Sequence, residues 1–319
     1  MITIERVDPH DDAALGAWYA VETASIAHDR PDASHRTYTS LTAAVQNATQ
    51  RRRYILLAAK DRTNTVGTAD ITLRDAENTH TLEVEIHVLP EYRRQGIGRR
   101  LWTASADIGV TEGRATFLGE LTVPPQAALA FTAAMGFESV HEEDHLILEL
   151  PHEVASVPTT GYDIVTWVGP CPDDLLAAYV QMRNRMQVDA PIGNVDLTAA
   201  AYTPERIREE EERSARAHKR ITAAARDQAT GDLVAYSLVF LPDGSVDAIQ
   251  DDTLVMPAHR GRRLGRALKH ATLTIVTRDH PERLRFHTWT APDNDPMQAT
   301  NAAFGYRIAE HVHEVQLKF

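Results

Sequence analysis

The sequence predicts a mixed α/β protein built from two copies of one domain, and three observations carry that prediction. The chain has 319 residues, about twice the ~150 of a typical single domain. Short apolar runs of strand character alternate with helical stretches along its length. The chain also repeats itself. VLPEYRRQGIGRRL, from Val88, aligns with VMPAHRGRRLGRAL, from Val255, and Val88/Val255, Pro90/Pro257, Arg93/Arg260, Gly98/Gly265, Arg99/Arg266 and Leu101/Leu268 are each 167 residues apart. AAMGF at 133–137 and AAFGY at 302–306 follow at an offset of 169. Two landmarks at nearly one spacing indicate a duplication.

The elements run in the same order in both copies. Each opens on a short strand, ITIERV or YDIVTWV. A helix follows: DDAALGAWYAVETASIAH in the first copy, with Asp11 or Asp12 as N-cap, and PDDLLAAYVQMRNRM in the second, starting after a proline. TPERIREEEERSARAHKR at 203–220 reads as a further helix with a solvated charged face. Hairpin strands come next, YILLAAKDRTNTVGTADITL and RITAAARDQATGDLVAYSLVFL, each with Asn or Gly at the turn. LEVEIHVLP (82–90) alternates as a strand and Pro90 stops its ladder. An arginine-rich loop then opens a helix. Both copies end on strand-like runs, HLILEL at 145–150 and EHVHEVQLKF at the C-terminus. PHEVASVPTT between the copies has two prolines and the composition of a linker. The expected division is residues 1–151, a linker at 152–161, and residues 162–319.

Composition narrows the function. Hydrophobic residues are 43% and charged residues 24%, as in ordinary globular proteins. One cysteine, Cys171, excludes an intramolecular disulfide and a Cys-rich zinc module. No apolar run of ~18 residues predicts a membrane span, and MITIERVDPHDD does not read as a signal peptide, so a cytoplasmic location is expected. The net charge of −12 opposes general nucleic-acid binding. Within this acidic chain EYRRQGIGRR (91–100) and HRGRRLGRALK (259–269) are basic islands that suit a small anion such as a phosphate.

The first island has the form strand, Pro, Arg-x-x-Gly-x-Gly, helix, and the second repeats that spacing with Arg263 at the first glycine. Glycine lets a backbone approach a ligand closely, and the first amides of a helix are unpaired donors at the positive end of its dipole. Such amides with flanking arginines make a pyrophosphate cradle. No Gly-Lys-Ser/Thr follows, so a Walker loop is absent, and a Rossmann fingerprint would need Gly where Arg93 stands.

On these motifs, and on AAMGFESV and NAAFGYRI downstream, the chain resembles the GNAT superfamily of acetyl-CoA-dependent N-acetyltransferases over both halves, in the tandem form of mycothiol synthase and related actinobacterial proteins. The resemblance implies two GNAT-like domains, each a mixed, mainly antiparallel sheet flanked by helices. It implies acetyl-CoA as co-substrate, held by Arg93, Arg94, Gln95, Gly96, Ile97, Gly98 and Arg99 in the first copy. Arg260, Gly261, Arg262, Arg263, Leu264, Gly265 and Arg266 correspond in the second. The strand before the loop would splay and lend backbone groups to the pantetheine at His87, Val88 and Leu89, and at Leu254, Val255 and Met256. Asn294 heads the next helix as a further cofactor contact; Pro124 and Pro125 stand there in the first copy. Arg263 replaces the motif's first glycine, with Gly261 nearby to relieve the turn, and the family's tyrosine is replaced by Thr132 and Asn301.

Amine acetylation needs a base to free the nitrogen lone pair. Glu83 and Glu85 alternate onto one face, whereas Asp251 and Asp252 are expected on opposite faces. Asp252 aligns with Glu85, and these two are the expected catalytic carboxylates; the alternative is that they bind a cationic substrate or pair with arginines. The implied function is acetyl transfer to a primary amine of a small cationic molecule, by direct attack in a ternary complex. The second copy is the preferred active site. The alternatives are a non-catalytic acyl-CoA sensor and a protein or peptide lysine acetyltransferase.

Other residues invite weaker readings. HEEDH at 141–145 has His-Glu-x-x-His spacing, but its context between AAMGF and a strand predicts a hairpin loop, and no metal is expected. Cys171 at a helix start has no His partner to make it a nucleophile. His259 and His287 either contact ligand or pack, and Trp289 is a core residue or a wall of the acceptor pocket.

Overall fold

Alternating apolar residues bury one side of each strand, and amphipathic helices cover both sides. The computed structural model describes residues 1–47, 49–123 and 126–319. In the first repeat lie β1 (Ile2–Arg6), α1 (Asp12–Asp29), α2 (Tyr38–Val45), β2 (Arg52–Asp61), β3 (Asn64–Arg74) and β4 (Thr81–Val88). After them come α3 (Ile97–Thr111), β5 (Thr116–Val123), α4 (Gln126–Ala134) and β6 (Glu138–Glu149). The second repeat gives β7 (Tyr162–Val168), α5 (Asp173–Asp189), α6 (Pro204–Ser214), β8 (His218–Asp227), β9 (Leu233–Pro242) and β10 (Asp247–Val255). It ends with α7 (Leu264–Asp279), β11 (Arg285–Thr290), α8 (Asp295–Phe304) and β12 (Arg307–Lys318).

Asp11, not Asp12, caps α1, accepting from the amides of Ala13 and Ala14. Thr203 caps α6, which stops at Ser214; the residues read as its continuation begin β8.

The chain forms two compact units. In the first, β1, β2, β3 and β4 pair antiparallel in order, β4 pairs parallel with β5, and β5 pairs antiparallel with β12. In the second, β7, β8, β9 and β10 pair antiparallel in order, β10 pairs parallel with β11, and β11 pairs antiparallel with β6. Each sheet is therefore mixed and mainly antiparallel. α1 and α2 cover one face of the first sheet with Leu15, Trp18, Leu41 and Val45; α3 covers the other with Ile97, Leu101 and Trp102. α5 and α6 cover one face of the second with Tyr179, Met182 and Ile207, and α7 covers the other with Leu264, Leu268 and Leu273.

The last strands are exchanged. β12 belongs to the first unit, together with residues 192–198, and the end of β6 belongs to the second. The compact units thus cut across the repeat-based division at 151/162. The reason is that each parallel strand has a free side, and the strand that satisfies its N–H and C=O groups comes from the other repeat. Leu317 packs into the first core and Leu148 into the second.

Both parallel pairs open early. β4 meets β5 only over Thr81↔Thr116, Leu82↔Phe117 and Glu83↔Leu118, and β10 meets β11 only over Asp247↔Arg285, Ala248↔Phe286 and Ile249↔His287. Beyond these residues the strands part, as expected for both copies.

A fragment of residues 1–151 leaves β5 without its neighbour. It is expected to self-associate, and to melt at a lower temperature than the same fragment with residues 310–319 appended through a flexible linker. Size-exclusion chromatography and thermal denaturation check this; a monomeric 1–151 of equal melting temperature would refute the exchange.

Candidate active site

The two loops share one backbone. Arg94 and Gly96 have φ of 61° and 79°, and their counterparts Gly261 and Arg263 have φ of 77° and 59°. Each turn thus needs two left-handed residues, and each copy fills one with glycine and one with arginine, at exchanged positions. This answers the departure at Arg263: the turn is kept, with glycine one half-turn earlier.

The motif's first arginine anchors each loop. Arg93 Nε donates to the carbonyl of Val88 at 2.9 Å, and its fork binds both carboxylate oxygens of Asp29 at 2.8 and 2.7 Å. Arg260 Nε donates to the carbonyl of Val255 at 3.0 Å and its fork reaches Asp189. Both side chains, expected at the anion, are committed to tying the strand end to α1 or α5. The remaining arginines differ: Arg94, Arg99 and Arg263 are exposed, and among the described residues none has an ion-pair partner. Arg262 binds Tyr162 instead, and His259 Nδ1 lies 2.9 Å from the same hydroxyl, which makes His259 a packing residue.

α3 and α7, like α5, begin without a side-chain cap, whereas Asp11, Thr37, Thr203 and Asn294 cap α1, α2, α6 and α8. Their first intrahelical bonds are Arg100 N–H to Gly96 and Ala267 N–H to Arg263, at 3.1 Å each. The amides of Gln95 to Gly98, and of Arg262 to Gly265, precede those bonds and are left for a ligand. A Cβ at Gly96 would meet nothing within 4 Å, so the approach is open. These features fit the pyrophosphate of a coenzyme A thioester: Gln95, Gly96, Ile97 and Gly98, or Arg263, Leu264 and Gly265, would hold it by their amides. Leu89 and Met256 donate their own amides to Val66 and Val234, at 3.1 and 2.9 Å. Asn294 accepts from Met297 N–H at 3.4 Å, which leaves its side-chain NH2 as the donor toward a ligand. Pro124 and Pro125 lie outside the described residues.

In the first unit the expected base, Glu85, is tied to His87, with 2.9 Å between Oε1 and Nε2. Surrounding protein pushes the Glu85 carboxyl up, but His87, Arg36 and Arg30 outweigh this and hold it at about 2. His87 is raised against its own burial by Glu85. Glu22, Glu85 and His87 bring one ligand atom each within 4.8 Å of one another, and Arg36 binds Glu22 and Asp70 beside them. Glu83 pairs with Arg74.

In the second unit a bulge interrupts β10 between Gln250 and Thr253. Before it Ile249 stands opposite Phe240, and after it Leu254 stands opposite Tyr236, all on the α5 side. An odd-numbered and an even-numbered residue share a face only if the bulge turns Asp251 and Asp252 to the same side. This corrects the expectation of opposite faces, which plain alternation dictated. Asp252 Oδ2 accepts from the Tyr236 hydroxyl at 2.7 Å and from Arg183 at 3.1 Å. Asp251 is solvent-accessible. The protein packed around its stem and the charge of Asp252 push its carboxyl up to about 6 against Arg183 and Arg220.

At the family's tyrosine position, Thr132 bonds the carbonyls of Ala128 and Leu129, both at 3.1 Å. Asn301 is buried, bonded to Lys269 Nζ at 2.7 Å. Burial holds that lysine down at about 7. His287 is buried, 2.8 Å from His145 and 3.2 Å from Asp247, and Trp289 stacks on His145 with centroids 4.6 Å apart; both are packing residues. HEEDH lies within strand β6, not in a hairpin loop. Its two histidines are four residues apart on a strand, roughly 13 Å, too far to share one ion. Cys171 is buried, and burial with Glu211 nearby pushes its thiol up to about 12, which removes it as a nucleophile. The sequence reading missed Arg183, Arg220 and Tyr236, since no local motif marks them.

The acetyltransferase (GNAT) family matches residues 18–137. A tandem GNAT protein from the clavulanic acid biosynthesis pathway superposes with a TM-score of 0.84 at 27% identity, over 100% of this chain and 98% of that one. A GCN5-related N-acetyltransferase from Sphaerobacter thermophilus has the same fold, with a TM-score of 0.73 at 15% identity over 99% and 95% of the two chains. No curated protein matches. The family match and the fold support an N-acetyltransferase. Residues 18–137 match the GNAT acetyltransferase family, and over its whole length the chain is similar to a tandem GNAT protein. No helix of the described residues is long and apolar enough to cross a membrane.

A non-glycine residue in the left-handed region costs roughly 1–2 kcal/mol. Arg263→Gly is therefore expected to raise unfolding stability by about 1 kcal/mol in denaturant titrations; a loss of stability would contradict the turn geometry.

Proposed function

We propose that the second unit transfers the acetyl group of acetyl-CoA to a primary amine of a small molecule that approaches as an ammonium. Asp251 carries the reading. It is an unpaired carboxylate at the bulge, beside the point where β10 and β11 part, and its proton affinity lies near neutrality. That affinity suits a general base. Asp252, preferred on alignment alone, is bound by Tyr236 and Arg183 and tunes its neighbour. In the first unit, Glu85 is held at about 2 and ion-paired, which makes it a poor base and favours an acetyl-CoA-binding role for that copy.

When bound, acetyl-CoA supplies the acyl carbon and a thiol leaving group. Asp251 takes a proton from the ammonium, directly or through one water, which frees the lone pair. The nitrogen forms its bond to the acyl carbon as the C–S bond breaks. One of the two protons lost by nitrogen ends on the departing sulfur and the other passes to solvent. The single cysteine, Cys171, is buried and protonated and so does not serve as an acyl-enzyme nucleophile. This supports direct attack in a ternary complex.

Asp251→Asn is expected to lower kcat for amine acetylation by ~10²–10⁴-fold with little change in acetyl-CoA affinity. For the unaltered chain kcat/KM should rise with pH through about 6, as Asp251 loses its proton. Full activity in Asp251→Asn would overturn the assignment. Gly98→Glu and Arg263→Glu, each placing a carboxylate at a cradle, should separately weaken coenzyme A binding by about tenfold or more in calorimetry. Unchanged affinity in both would overturn the cradles.

A further inference from the structure

The α5 side of the second sheet holds an unmatched pair of opposite charges. The cations among the described residues there include Arg183, Arg206 and Arg220, with Arg208 of α6 paired to Glu211. Arg183 is paired with Asp252 at 3.1 Å, and Arg206 with Glu210 at 3.7 Å. Arg220 is only 6% exposed and, among the described residues, has no carboxylate partner. Its contacts are the Tyr179 hydroxyl, at 3.4 Å from a terminal nitrogen, and the Phe240 ring, whose centroid lies 5.6 Å from Cζ. Its Nε is buried with no hydrogen-bond partner. A buried guanidinium without a counter-ion is costly, and proteins rarely keep one unless a ligand completes it. The matching surplus is Asp251, a carboxylate with no cation in ion-pair contact. The charge of Arg220 is felt at Asp251, yet the two do not touch.

The sheet register gives their separation. Arg220 stands opposite Phe240 on β9, and Phe240 stands opposite Ile249 on β10. Arg220 and Ile249 are thus two strands apart, and Asp251 lies two residues further along β10. This is roughly 10 Å across and ~7 Å along the sheet between Cα atoms. A diamine or a simple alkylamine would satisfy Asp251 and leave Arg220 unpaired.

We propose that the acceptor of the second unit is a zwitterion, a small amino acid whose ammonium lies against Asp251 and whose carboxylate lies against Arg220. This rests on the acetyltransferase reading above and adds the acceptor's chemical class. Arg220 is then a specificity residue: it binds the end of the acceptor that does not react.

Matched acceptors test it: β-alanine against n-propylamine, γ-aminobutyrate against n-butylamine, and lysine against cadaverine, with coenzyme A release measured on the full chain. The carboxylate-bearing member of at least one pair is expected to have a kcat/KM at least ~30-fold higher, the range for an ion pair whose loss strands a buried charge. In Arg220→Gln that ratio should collapse to about one, mainly through KM. Amines that match or exceed their amino-acid partners would overturn the proposal while leaving the acetyltransferase reading intact. If no amine is acetylated, that reading fails, and binding decides the present one. Millimolar amino acid should then raise the melting temperature of the unaltered chain and not of Arg220→Gln; absence of that difference overturns the proposal. Arg220→Met supplies a control for folding. Without ligand it should melt at or above the temperature of the parent, because it removes an uncompensated charge. A markedly lower melting temperature would show that Arg220 is structural and would also overturn the assignment.

Discussion

One guanidinium per unit sets the geometry of each site. Arg93 grips the carbonyl at the end of β4 and Asp29 on α1, and Arg260 does the same for β10 and Asp189 on α5. The grip fixes where the strand ends. From that point the chain must turn sharply into a helix, and two left-handed residues make the turn. The helix then starts with no side chain over its first amides, so an anion is the natural partner for them. The parallel neighbour does not follow the gripped strand, and the wedge between the two opens beside the same loop.

On this common frame the two units have different electrostatics. In the first, the strand carboxylate is neutralised by its surroundings: Glu85 faces His87, with Arg36 and Arg30 close by, and is held far below neutrality. In the second, a bulge places two carboxylates side by side, and burial of the stem together with the charge of the one bound by Tyr236 and Arg183 raises the other. On the proposed function, one inserted residue in a strand, with no change of fold, separates a site poised for proton transfer from one that is not. Function here resides in the groups mounted on the fold.

Much of this was readable from residues alone. The twin loops and the helices they open followed from the repeat and from periodicity, and the mixed sheet from the resemblance to GNAT proteins. The exchanged glycines were visible as a departure whose remedy, Gly261, stood two residues away. Three features were not readable. A bulge has no residue signature, so simple alternation set Asp251 and Asp252 on opposite faces. The period of two in β6 and β12 shows that each is a strand but not which strand it joins, so the exchange between repeats was hidden. Arg183 and Arg220 come from a helix and a strand well before β10, and only the folded sheet brings them to its carboxylates.

The claim that both cradles are built alike is tested most directly by calorimetric titration of acetyl-CoA into the full chain, read for stoichiometry. The shared backbone of 93–98 and 260–265 predicts two equivalents per chain. One equivalent would contradict the equivalence of the loops, and no binding would contradict the acetyl-CoA reading of both.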